Sequence, residues 1–79
     1  MLNNFNSTRL EVSHMALESG LEALQSVAVI KAPYIAVLGL QIMEKFNELV
    51  IDAHLNHVGN PHLINIWIDN FVLLRNAPS

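Results

Sequence analysis

The tripeptide Gly59-Asn60-Pro61 constrains this chain more than any other feature, because it writes a helix stop and a helix start in consecutive residues. Glycine takes the left-handed conformation that ends a helix, and asparagine offers a side-chain oxygen to the free amides of the next one. Proline at the first helical position loses nothing by lacking an amide hydrogen. One helix is therefore expected to end near His57 and another to open at Pro61 and run to about Arg75. Ile64, Trp67, Ile68, Phe71, Val72 and Leu74 then share its inner side, with Asn65, Asp69 and Asn76 near the outer one. A strand over Ile64 to Ile68 would suit the β-branched residues there, but it would have no partner strand elsewhere in the chain.

Upstream, Leu10, Leu17, Leu21, Leu24 and Ala28 recur at helical spacing, with Glu11, Glu18, Glu22 and Gln25 opposite them. This pattern predicts an amphipathic helix from about residue 7, capped by Asn6 or Ser7, to about Lys31. Gly20 interrupts it at a cost of about 1 kcal/mol relative to alanine, so either a neighbour needs a small residue there or the helix is locally weak. Ser13, Ala16, Gly20 and Ala23 form a small-residue strip along one flank, open to close approach by another helix. Residues 1–6 read as a disordered arm anchored only by Phe5.

Pro33 divides this helix from the next. A proline inside a helix costs about 3 kcal/mol or more, which favours a helical hairpin; Lys31 and Ala32 are poor caps, which keeps a single long helix kinked at Pro33 as the alternative. The second helix is expected over 33–57, with Ile42, Phe46, Leu49, Val50 and Ala53 inward and Gln41, Glu44, Lys45, Glu48, Asp52 and Asn56 outward. Its first half, Tyr34 to Leu40, is apolar all round, as suits a helix surrounded on every side. The expected fold is thus all-α: two or three helices, about 7–31, 33–57 and 61–75, in one small domain spanning 1–79.

Composition now matters. A chain of 79 residues buries only about 60% of its unfolded surface, yet 52% of its residues are apolar and only 14% charged. Ordinary domains are about 25% charged, so more apolar side chain is present here than one copy readily hides. The excess calls for a second copy, a protein partner or lipid. Completion of the core by homo-oligomerisation is the leading expectation, with Leu17, Leu21, Leu24, Phe46, Ile64, Trp67, Ile68 and Phe71 as the contact residues. Arg9, Lys31, Lys45 and Arg75 lie singly and the net charge is −3, so nucleic acid is not an expected partner. The Asn-rich start lacks a basic stretch and a cleavage site, so no signal peptide is expected and a cytoplasmic location is the default.

Chemistry-bearing clusters are few. His54 and His57 stand three residues apart, and with His62 they form the candidate metal-ligand set, to which Asp52 and the distant His14 and Asp69 are additions. A structural zinc site wants four ligands at defined spacing, so the simpler reading has these histidines meeting the negative end of a helix dipole. No metal or other cofactor is expected. Glu44, Glu48 and Asp52, like Glu18 and Glu22, fall on polar faces and read as solvated. Of Ser7, Ser13, Ser19 and Ser26, only those near His14 have a base close by in the chain, and none has a glycine-rich elbow, which argues against nucleophilic catalysis. Tyr34 and Trp67, as aromatics in apolar helical stripes, read as core or interface. Val27 to Met43 is apolar but contains Lys31, Pro33 and Gln41 and has no basic flank, so a membrane-inserted hairpin is the runner-up to self-assembly. A small adaptor that takes a partner's helix is a further alternative.

Overall fold

A computed structural model describes residues 12–77. They form three helices and no strand: α1, His14–Ala28; α2, Pro33–Leu55; and α3, Pro61–Asn76. Asn6, Ser7, Leu10 and the arm over 1–6 lie outside the described residues. Within them, the first helix opens later than its leucine spacing implies. Ser13 is extended and its Oγ accepts a 3.0 Å hydrogen bond from the Ala16 amide, so the serine placed in the small-residue strip is a helix cap.

α1 also ends earlier, at Ala28 rather than near Lys31. Pro33 bars Ala32 from the helical region, and Ala32 is extended at φ −74°, ψ 116°. The chain therefore turns over Val29–Ala32, and the hairpin prevails over the kinked long helix. Pro33 occupies the first turn of α2, where its missing amide costs nothing.

The second turn is built differently from its expectation. α2 stops at Leu55, and the left-handed residue that closes it is His57, at φ 58°, rather than Gly59. The Val58 amide donates to the Ala53 carbonyl at 3.0 Å and the His57 amide to the His54 carbonyl at 3.2 Å. That pair of bonds satisfies carbonyls the helix end would otherwise leave free. Gly59 is a second left-handed residue, at φ 87°, and a β-carbon there would meet Ile64 Cδ1 and the Val12 carbonyl oxygen, both at 3.3 Å. Asn60 then caps α3 as expected, its Oδ1 accepting from the Leu63 amide at 3.0 Å.

Packing follows an up-down-up order. Gly20 lies against Phe46 and Gly39 against Val27, which makes α1 and α2 antiparallel. Leu21 through Ala28 share a groove with Asn70 through Ala77, so α1 and α3 run side by side in the same direction. The three helices enclose Val12, Leu17, Leu24, Met43, Val50, Ala53, Ile64, Trp67 and Phe71. Fully burying a side chain such as Leu17, Ile64 or Phe71 stabilises by about 1.5–3 kcal/mol, so this core is the main force holding the bundle.

Three inward assignments are corrected. On α2, Ile42 and Leu49 face outward while Met43 takes the inner place beside Val50 and Ala53, and on α3 Val72 is exposed. The cause on α2 is an apolar sequence on both sides of the true inner stripe. Helix lengths sharpen the effect: α2 has 23 residues against 15 and 16 in its neighbours, which makes it about 10 Å longer. Its first turns consequently have little to pack against within one chain, and Tyr34 to Leu38, expected to be surrounded, are largely open.

Candidate interaction surface

One interhelical polar contact pins the core. The indole Nε1 of Trp67 donates to Asn47 Oδ1 at 2.9 Å, across α2 and α3. Phe46 meets the Trp67 ring edge to face, 4.9 Å between centroids at 83°, and Phe71 stacks with it at 5.9 Å and 14°. The Arg75 guanidinium lies 5.5 Å from the Phe71 centroid. Asn47 was invisible in the pattern of the sequence, since an asparagine between two apolar stripes reads as surface. Its only signal was the need of a buried tryptophan for an acceptor.

All eight residues expected to touch another chain, Leu17, Leu21, Leu24, Phe46, Ile64, Trp67, Ile68 and Phe71, lie in this core or packed against it. The small-residue strip serves the same core: Gly20 accommodates Phe46, while Ala16 and Ala23 border the buried cluster. Side chains available to a second molecule are therefore others, and they concentrate on α2. Ile35, Leu38, Ile42 and Leu49 recur at intervals of three, four and seven residues and are 54%, 45%, 63% and 42% exposed. Such spacing makes a single row along the helix. Tyr34 and Val37 widen it at the first turn. The row carries a charge asymmetry: Lys31 is the one charged residue between Glu22 and Glu44, whereas the later half of α2 holds Glu44, Lys45, Glu48 and Asp52.

The expected acidic faces are where the spacing put them, with Glu44 and Glu48 exposed and Asp52 half-buried. Lys45 Nζ approaches Glu48 Oε1 at 4.0 Å and His14 Nε2 lies 3.1 Å from Glu18 Oε2, both on exposed surface, where such pairs contribute little. His54 and His57 line a shallow pocket of about 210 Å³ with Val58, Gly59, Pro61 and Ile64. His62 is absent from that lining and sits on the first turn of α3. Among the described residues no group of three histidines or carboxylates is gathered so as to hold a metal ion. His54 lies in the last turn of α2, where a protonated imidazole meets the carbonyl end of the helix.

A groove of about 260 Å³ runs between α1 and α3, floored by Leu21, Leu24, Leu73 and Leu74 with Gln25 and Asn70 at its rim. It is smaller than the roughly 300–1,000 Å³ of ordinary ligand pockets. Asn70 Nδ2 is already engaged by the Ile66 carbonyl at 2.7 Å, which leaves few polar groups to orient a small molecule. Among the described residues, no buried residue is polar or charged. None of their helices is long and apolar enough to cross a membrane, and the Val27 to Met43 stretch is interrupted by the turn before Pro33. No family model, curated protein or solved structure matches the chain.

Proposed function

We propose that this chain is a non-enzymatic assembly protein that associates with copies of itself through the outer face of α2. The observation that carries this reading is the row Ile35, Leu38, Ile42 and Leu49, broken by Lys45 between its last two members, which a core already closed by α1 and α3 leaves in solvent. Each of these side chains is about half exposed, so its complete burial gains about 1 kcal/mol, half of the roughly 1.5–3 kcal/mol for a fully exposed one. Two copies contribute eight such side chains. Against that gain stands an association cost of at least about 4 kcal/mol. The balance is at most about 4 kcal/mol, a weak and reversible contact with a dissociation constant on the order of 1 mM. The role that follows is geometric: folded units are brought together while the acidic outer faces of α1 and α2 stay in water.

A second reading draws on the groove between α1 and α3, whose apolar floor would suit the side chains of a partner helix in an adaptor. The two readings use opposite sides of the bundle and separate cleanly. Ile42→Glu places a charge in the middle of the α2 row without touching the core, so it abolishes self-association and leaves the circular dichroism melt of dilute protein unchanged. Hydrodynamic mass at about 5 mM, above that dissociation constant, reads the effect. A wild-type chain that stays monomeric there, or one whose association survives Ile42→Glu, overturns the proposal. Binding of that monomer to lipid vesicles through the same row would replace it with a membrane-surface role.

A further inference from the structure

Resting on that reading, we infer that the occupant of the α2 row is a second α2 running antiparallel, with Ile42 on the two-fold axis. Three observations on α2 select this geometry. The first is the register of the row. Turning one helix end for end about Ile42 sets Ile42 opposite Ile42 and Ile35 opposite Leu49, and it lays the stem of Lys45 over Leu38. Moving the axis to the midpoint of Leu38 and Ile42 sets Lys45 on Ile35 and Lys31 on Leu49. Moving it the other way, to the midpoint of Ile42 and Lys45, puts Lys45 on Ile42.

The second observation is charge. The turn before α2 carries Lys31 as its one charge, while the later half of α2 holds Glu44, Lys45, Glu48 and Asp52, a net of −2. In the antiparallel register Lys31 of each copy reaches the level of Asp52 on the other, so both ends of the contact pair opposite charges. A parallel pair would keep the row equally apolar but would stack Lys45 on Lys45, Glu48 on Glu48 and Lys31 on Lys31. Antiparallel helices also oppose their dipoles, whereas parallel ones align them.

The third observation is access. Lys31, Ile35, Leu38, Ile42, Lys45 and Leu49 are all exposed, along a flank of α2 beside its contacts with α1 and α3 through Gly39, Phe46 and Asn47. Both partners can therefore meet as folded bundles. The contact is isologous and closes at two copies, because the same patch serves each.

The sequence has no cysteine, so single introduced thiols report the geometry without background. Disulfides need α-carbons about 4.4–6.8 Å apart. In the antiparallel pair the two Ile42 positions meet this, whereas the two Ile35 positions stand about 21 Å apart along the helix. Ile42→Cys is expected to cross-link to itself under mild oxidation at least ten times faster than Ile35→Cys or Leu49→Cys does. An equal mixture of Ile35→Cys and Leu49→Cys is expected to give the mixed dimer. All three sites are exposed, and a melt of each reduced variant verifies that its fold is intact. Self-linking of Ile35→Cys or Leu49→Cys as fast as Ile42→Cys overturns the antiparallel arrangement while leaving self-association standing. A dimer by sedimentation that Ile42→Cys fails to trap overturns the register. A wild-type monomer at about 5 mM, above the dissociation constant of about 1 mM, overturns both this inference and the assembly role beneath it.

Discussion

Replacing Gly20 by alanine sets two physical effects against each other, and the structure decides the sign. Helix propensity alone favours the change by about 1 kcal/mol, because glycine in a helix interior is costly. The packing opposes it. A β-carbon at position 20 would stand 2.5 Å from Phe46 Cε2 and 3.1 Å from Phe46 Cζ, so the ring must move. That ring is held at one edge by Trp67, 4.9 Å away and nearly perpendicular. Displacing it gives up an aromatic contact of about 0.5–1.5 kcal/mol and adds overpacking strain of about 1–3 kcal/mol. The expected net result of Gly20→Ala is a loss of about 1–2 kcal/mol, which lowers the thermal midpoint by roughly 4–8 °C for each kcal/mol in a domain of this size. Urea denaturation followed by circular dichroism measures it. The cause is isolated by the double variant: in a Phe46→Leu background, where the ring is gone, Gly20→Ala should be neutral or stabilising, with a coupling of about 1–2 kcal/mol between the sites. A Gly20→Ala variant more stable than wild type would refute the close α1–α2 contact and leave propensity as the only term at that position.

His57 holds a left-handed backbone that glycine adopts without strain, so His57→Gly should stabilise by about 0.5–1 kcal/mol, read as a higher urea midpoint; a loss would mean the imidazole contributes more than its backbone strain costs. Asn47→Ala removes the acceptor of the buried Trp67 indole and should cost about 1–3 kcal/mol with a shift in tryptophan emission, whereas an unchanged midpoint would show that the 2.9 Å bond is dispensable. Adding a chelator should leave the thermal midpoint where it is, and a large fall would show that the histidines hold a structural metal after all.

Much of the fold was legible because its punctuation is local. Asn60 and Pro61 open α3 through their own side chains, and Pro33 excludes its predecessor from helix whatever surrounds it. What escaped depended on neighbours. The leucine spacing runs unbroken from Leu10 to Leu24, so nothing in it marks Ser13 as the cap. His57 as the left-handed residue requires the closed pair of carbonyl bonds to hold it, and a glycine two positions later drew the assignment away. On α2, Met43 and Ile42 are equally apolar, and only the placement of α1 and α3 decides which is inside. The same ambiguity hid the candidate surface. Large apolar residues of α1 and α3 were expected to meet another chain, but they are the ones a small bundle needs for its own core, and the surplus lies on the longest helix.

Sedimentation equilibrium of the wild-type chain, without detergent and over about 0.1 to 5 mM, tests the assembly claim most directly, because this range brackets the estimated dissociation constant of about 1 mM. The account predicts a weight-average mass that rises from one chain's 8.8 kDa toward twice that value and no further, and stays at one chain for Ile42→Glu throughout. A mass that remains at 8.8 kDa across the whole range contradicts it.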